Sequence, residues 1–293
     1  MKEIFQKLRN YEIKIRKAIK SHMQGDFHSI FRGSGIEFDD VRVYQYGDDV
    51  RAIDWKVSAK GVGTYVKTYK EDKEQNVMFL IDVSASQDIG KKGSKKMDIA
   101  KEICGVLTLS ATKENSSTGL ICYSDQKELY IKPNKGMRHA YESITKLHHL
   151  QPKSRKTNLN DAIKFTLNFL KRRSIVILIS DFIDEDYQHQ LKGLAGSHDL
   201  VVIHITDTTE ANLPKLGIIP LFDKESQSTI WVNTSSNEFR EKVYGKFSKG
   251  HNDLQELCLR NQADYLKVIT NQEYVSRLIK LFKIRNKTKK RAR

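Results

Sequence analysis

Three apolar runs punctuate the chain: Val77 to Ile81, the SIVILIS stretch from Ser174 to Ser180, and Leu200 to Thr206. Each stops at a carboxylate, Asp82, Asp181 and Asp207 in turn. A strand buried on both faces reads this way, because both sides of its pleat need apolar side chains, and such strands belong to parallel sheets covered by helices. Helical spacing fills the intervals. Met97, Ala100, Cys104, Leu107 and Ala111 predict a helix from about Ser94; a second runs from about Gly136 to Leu150. A third opens on the capping-type sequence Thr157 to Asn160 and places Leu159, Ala162, Ile163, Thr166 and Leu170 on one face. Thr118 to Tyr123 and Glu128 to Lys132 flank a short polar link and predict a hairpin. Beyond Asp207 the pattern predicts an irregular stretch around Pro214 to Pro220, a short strand Ser228 to Val232, a helix Ser236 to Gln262, a strand Tyr265 to Ile269 and a closing helix Glu273 to Ile284. This alternation predicts an α/β domain over residues 76–284, a mostly parallel, Rossmann-like sheet with helices on both faces.

The first 75 residues have another texture. Ile4, Leu8, Tyr11, Ile15 and Ile19 predict an amphipathic helix with a lysine-rich outer face. Residues 25–75 are rich in Gly, Asp and aromatics, and the alternating runs Val41 to Tyr46 and Tyr65 to Tyr69 suit small antiparallel strands. Asp39, Asp40, Asp48, Asp49 and Asp54 crowd together there, but Gly47-Asp48-Asp49 is ordinary turn chemistry and Arg42 and Arg51 are at hand to pair them. Three segments result: an N-terminal helix with a β-rich part over 1–75, the α/β domain over 76–284 and a basic tail over 285–293.

Charge changes this picture less than its size suggests. The chain of 293 residues carries a formal +15. Residues 1–20 hold seven Lys/Arg against two Glu, and residues 280–293 hold eight Lys/Arg and no acid, so all but +2 belongs to the two ends. A phosphate-tracking protein carries its basicity as a patch on the fold; solvated ends are the favoured reading here, ahead of nucleic acid or weak contact with an anionic membrane. No apolar run reaches 18 residues and the first twenty lack the core of a signal peptide, so neither a membrane span nor classical secretion is expected. Cys104, Cys122 and Cys258 are scattered in apolar contexts without CxxC spacing, as in a reduced, cytoplasmic protein.

The candidate chemistry lies where the buried strands end, the usual place for ligands in such sheets. Asp82, Ser84, Ser86, Thr157 and Asp181 are hydroxyls and carboxylates without His or Cys, a donor set for a hard cation such as Mg²⁺ or Mn²⁺ rather than zinc. If the hydroxyls of Ser84, Ser86 and Thr157 bind directly while Asp82 and Asp181 hold waters, the ion keeps most of its charge and seeks an acidic ligand from outside. The rival reading is a Mg²⁺-dependent phosphoryl-transfer hydrolase with Asp82 as nucleophile; it lacks a second carboxylate two residues on, where Ser84 stands, and an identifiable lysine for the phosphoryl group. His148 and His149 are adjacent and no HxxxH pair exists, so the histidines suggest no site. Asp125 and Asp207 read as turn formers.

DVSAS with Thr157 in KTNLNDAI and Asp181 in ILISDFID resembles the von Willebrand factor A domain and its metal-ion-dependent adhesion site, over roughly residues 76–270. The segment GSGIEFDDVRVYQYGDDVRAIDWKVSAK and the terminal VSRLIKLFKIR are similar to the bacterial family catalogued as domain of unknown function fifty-eight, which includes an A-type domain. Gln87 stands where many A domains carry methionine, at a position that is not a ligand. The resemblance implies a protein that is not an enzyme. It implies an adaptor or co-chaperone of a MoxR-type AAA+ ATPase, binding a carboxylate of the ATPase or of an acidic client protein through the metal.

Overall fold

The computed structural model describes residues 3–7, 9, 10, 13, 34–61, 63–73, 76–91, 93–184, 186–211, 215–223, 228–281 and 285. Residues 32–75 make one unit and the rest of the chain another. The smaller unit pairs β1 (Ser34–Val43) with β2 (Tyr65–Lys73) antiparallel, from Ser34 opposite Lys73 to Val43 opposite Tyr65, with a shift of register between Phe38 and Asp40. Strand β1 begins well before Val41 and stops short of Tyr46, because the chain turns over Gly47, at φ +105°, into short helical turns. Asp48, Asp49 and Asp54 hold the local turns together. Asp48 takes a two-pronged ion pair from Arg42, at 2.7 and 2.6 Å, and also accepts the Gln45 amide. Asp49 accepts the Arg51 amide, and Asp54 accepts the amides of Lys56 and Val57 at the start of a single helical turn. These are capping bonds that satisfy otherwise orphaned N–H groups. The side chain of Asp39 lies outside the described part.

In the larger unit, β3 (Asn76–Asp82) is followed by α1 (Lys96–Lys113), β4 (Ser117–Tyr123), β5 (Lys127–Asn134), α2 (Met137–His149), α3 (Leu159–Phe169), β6 (Ile175–Ser180), α4 (Gln188–Ser197) and β7 (Asp199–Thr206). Then come β8 (Ile218–Asp223), β9 (Ser228–Asn233), α5 (Asn237–Arg260) and β10 (Asp264–Ile269). Six strands form one sheet in the order β10-β7-β6-β3-β4-β5, parallel except for the antiparallel edge strand β5. The expected mostly parallel, Rossmann-like sheet flanked by helices is present, and the arrangement is consistent with a von Willebrand factor A-type fold. Because β4 leaves β3 on one side and β6 rejoins it on the other, the chain order reverses at β3, and the crevice beyond its carboxyl end is the switch point of the sheet.

Alternation along β3 explains its position. Val77, Phe79 and Ile81 join the core formed with Ile103 and Leu107 of α1, Ile144 and Leu147 of α2, and Val275 and Leu278 of the closing helical residues 275–281. Met78 and Leu80 join the opposite core with Ile163 of α3, Leu191 and Leu194 of α4, and Leu254 and Cys258 of α5. Each such buried side chain contributes about 1.5–3 kcal/mol, which offsets the cost of burying polar groups where the strands end.

Three features differ from the sequence reading. Helix α4 was not anticipated: its core contact comes down to Leu191, Leu194 and Ala195, too few for an apolar stripe. Pro220 lies inside β8, directly opposite Trp231 of β9; in a two-stranded ribbon its missing N–H leaves no central ladder bond unmade. Ile4 and Phe5 pack on the α/β core and Lys7 pairs with Glu102 of α1, so the residues before 75 divide between the two units. Leu8, Tyr11, Ile15 and Ile19 lie outside the described residues, as does the basic stretch beyond Arg285. Arg285 itself is buried, ion-paired to Asp199 at 2.5 Å and to Asp264. Cys104, Cys122 and Cys258 are buried and free.

Candidate functional site

The end of β3 delivers Asp82 into the interior, 4 % exposed, and three local bonds hold it there. The Ser84 amide donates to one carboxylate oxygen at 2.9 Å; the Ser180 hydroxyl, from the end of β6, and the Gln87 side-chain amide donate to the other at 2.8 and 3.2 Å. Ser84 then starts a helical turn over Ala85–Asp88, which brings Ser84 Oγ within 2.9 Å of Ser86 Oγ. Gln87 is therefore a buried prop for Asp82.

Neighbouring loops close around this turn. The Val83 amide donates to the Tyr123 carbonyl, Ala85 to Arg155 and Asn158 to Ser124, so the Ser84 turn is laced to the segment that carries Thr157. Asn158 caps α3 through its side chain, and the first amide of that helix, Leu159, donates to Asp184 at 2.6 Å. Thr157 is half-buried and lines a small pocket with Asp82, Tyr123 and Ser124.

Asp181, 3 % exposed, follows β6. The next residue, Phe182, has φ +56°, a left-handed conformation unusual for a bulky side chain. It is held by its amide bond to Ser180 Oγ at 3.0 Å and by its ring against Tyr187 and His204. Strain of this kind collects where a site fixes the chain's direction. Asp181 does not stand free: one oxygen takes an ion pair from Lys96 Nζ at 2.5 Å, and the other accepts the Ile183 amide at 3.3 Å. Lys96, the first residue of α1, is 0 % exposed and also pairs with Glu210.

The electrostatics follow from burial. Desolvation, and next the charge of Asp181, push the Asp82 carboxyl up to about 6, against the pull of its bonds from Ser84 and Ser180. Burial likewise raises Glu210, though Lys96 opposes it. For Lys96 burial alone would lower the pKa, but Asp181 and Glu210 outweigh it and the net direction is upward. Asp207 is lowered: burial works against this, and bonds from Thr209 and Thr270 prevail. It serves the turn after β7, as its sequence suggested.

The structure thus joins Asp82, Ser84 and Ser86 directly, sets Thr157 against the same pocket and brings Asp181 close enough to act on Asp82. Ser180, Lys96 and Glu210 were missed. A serine ending an apolar run and a lysine in KKMDIA carry no signal of the partners they meet, 98 and 85 residues away. Among the described residues no three His, Cys, Asp or Glu side chains gather as metal ligands; the candidate set has two carboxylates and three hydroxyls, a different composition. No described helix is long and apolar enough to cross a membrane.

The family model described as "Protein of unknown function DUF58" matches residues 40–252. The chain belongs to that family. Relatives of this DUF58 chain include the proteins described as "Uncharacterized protein Mb1516" of Mycobacterium bovis and "Uncharacterized protein Rv1480" of Mycobacterium tuberculosis, each 26 % identical over 222 residues, covering 75 % of this chain and 70 % of the relative. Among solved structures, the hypothetical protein BatB of Bacteroides thetaiotaomicron aligns over 73 % of this DUF58 chain and 99 % of its own, at 16 % identity and a TM-score of 0.47. An aerotolerance-related membrane protein of Bacteroides fragilis aligns over 71 % and 96 %, at 17 % identity and a TM-score of 0.46.

Proposed function

We propose that this DUF58 protein is a non-enzymatic, metal-dependent interaction module. Ser84, Ser86 and Thr157 would hold Mg²⁺ or Mn²⁺, Asp82 and Asp181 would support it through water, and an Asp or Glu of a partner would complete its shell. The observation that carries this reading is the convergence of Ser84 Oγ and Ser86 Oγ, hydrogen-bonded to each other at 2.9 Å, beside the buried Asp82 carboxylate. In an octahedron with Mg–O bonds of 2.0–2.1 Å, adjacent oxygens lie ~2.9 Å apart by geometry, so the two hydroxyls have the spacing of one edge. The buried Asp82, destabilised as an anion by its surroundings, adds a charge that a cation would relieve. A MoxR-type AAA+ ATPase, or an acidic client protein, is the proposed partner on the strength of the DUF58 resemblance, and the scattered reduced cysteines favour a cytoplasmic setting.

The hydrolase reading is weaker. Both oxygens of Asp82 are engaged by Ser84, Ser180 and Gln87, which suits a fixed support better than a nucleophile. A lysine does lie nearby, but Lys96 is fully buried and committed to two carboxylates. Calorimetric titration with Mn²⁺ and Mg²⁺ tests the proposal, followed by a tagged pull-down in Mg²⁺ and in EDTA. Ser84→Ala with Thr157→Ala is expected to abolish ion uptake and to release any AAA+ ATPase captured by the wild type. Ion binding unchanged by the double substitution would refute it, and turnover of an aryl phosphate lost in Asp82→Asn would favour the hydrolase.

A further inference from the structure

Lys96 stands in a place that elementary electrostatics disfavours. It occupies the first position of α1, where the helix dipole is positive, and no part of it reaches water. The loop before it is shaped to put it there. Gly90 adopts φ +123°, and a Cβ on it would come within 2.9 Å of the Lys95 Cα and 3.3 Å of an Asp207 oxygen. The Lys96 amide donates to the Ile89 carbonyl at 2.9 Å, which closes the loop behind the side chain. The ammonium then meets Asp181, at the end of β6, and Glu210, in the turn after β7. Glu210 is itself anchored, because its second oxygen accepts the Asp207 amide at 2.9 Å. Buried ion pairs of this sort return little net stability compared with apolar packing of the same volume, so stability is a poor explanation for placing one beside a candidate cation site.

Resting on the metal reading above, we propose that Lys96 is a resident counter-ion that governs how tightly the site takes a divalent cation: by holding Asp181 it withholds that carboxylate's full charge from the ion. Two positive groups then share one carboxylate. Without the ammonium, Asp181 turns its charge to the entering ion and the repulsion between Lys96 and that ion disappears. The site is thereby set to bind weakly on its own, and an incoming acidic ligand becomes a larger part of the total attraction.

The experiment is calorimetric titration of the full chain with Mn²⁺ and with Mg²⁺. Lys96→Met is expected to tighten Mn²⁺ binding by at least about tenfold, the scale of removing one unit charge a few ångströms from a dication. Lys96→Arg keeps the charge and is expected to stay within about threefold of wild type. Should Lys96→Met fail to fold, Lys96→Met with Glu210→Gln restores the cluster's wild-type net charge while still freeing Asp181, and it is expected to show the same tightening. Adding Ser84→Ala must remove the gain. Equal or weaker binding in the Met variants, with Ser84-dependent binding retained in the wild type, would overturn the role of Lys96 and leave the metal reading standing. Absence of Ser84-dependent binding in every variant would overturn both.

Discussion

Two buried cations, one at each end of the same sheet, answer to different needs. Arg285 bridges Asp199 and Asp264, which open the adjacent strands β7 and β10, and those carboxylates keep 26 % and 33 % of their side-chain surface. Lys96 bridges Asp181 and Glu210 at the carboxyl ends, where the carboxylates keep 1 % and 5 %. A planar guanidinium can satisfy two fixed carboxylates at once with directed bonds and cannot lose its proton. An ammonium is a point charge without a preferred plane, easily rebalanced against another cation. The arginine fastens two strand starts together; the lysine neutralises charge in the region where the candidate ligands gather.

This contrast can be broken experimentally. The largest expected effect is from Lys96→Met in EDTA, which strands two fully buried carboxylates and should cost roughly 3–5 kcal/mol in urea unfolding. Saturating Mn²⁺ should return part of that loss, through binding to the folded state. Arg285→Met should cost less, about 1–3 kcal/mol, because Asp199 and Asp264 can rehydrate, and Mn²⁺ should return none of it. If the two variants respond alike to Mn²⁺, the distinction between the clusters fails.

The smallest effect concerns acid. His251 packs edge-on against His204, ring centroids 4.5 Å apart, and His204 bonds Tyr265. Burial, then Lys267, holds His251 down to about 4, and burial with His251 and Lys267 holds His204 well below its ordinary value. Both imidazoles are neutral in the fold. As pH falls below about 6.5 the unfolded chain takes protons first, so stability present above that value declines toward pH 4. His251→Gln should flatten the decline measured by thermal unfolding between pH 6.5 and 4. An unchanged slope would assign it to other groups.

How much of this was legible follows from what each residue must satisfy. Strands β3, β6 and β7 announce themselves because both faces are buried, and a continuous apolar run has no other economical use. Ser84 and Ser86, just past an apolar strand, and Thr157, at a helix start, stood out in the sequence as candidate donors, and the fold sets all three near the end of β3. Lys96 and Arg285 were not legible. A charged side chain shows its sign in the sequence but not its burial, which depends on carboxylates 85 and 114 residues away for one and 21 and 86 for the other. Thus Arg285 read as the start of a solvated tail. Pro220 misled in the opposite sense, since the rule against proline in strands applies to central ones.

Glu102, in the middle of α1, has a consequence of another kind. One of its oxygens takes Lys7 and the other the Tyr274 hydroxyl at 2.8 Å, partners 95 residues before it and 172 after it. During synthesis Lys7 must wait for Glu102 to emerge. Tyr274 and Arg285 arrive only after every strand of the main sheet has left the ribosome. Closing Glu102 onto Tyr274 thus spans most of the α/β unit, a loop-closure cost that a non-local contact repays only once the intervening strands are in place.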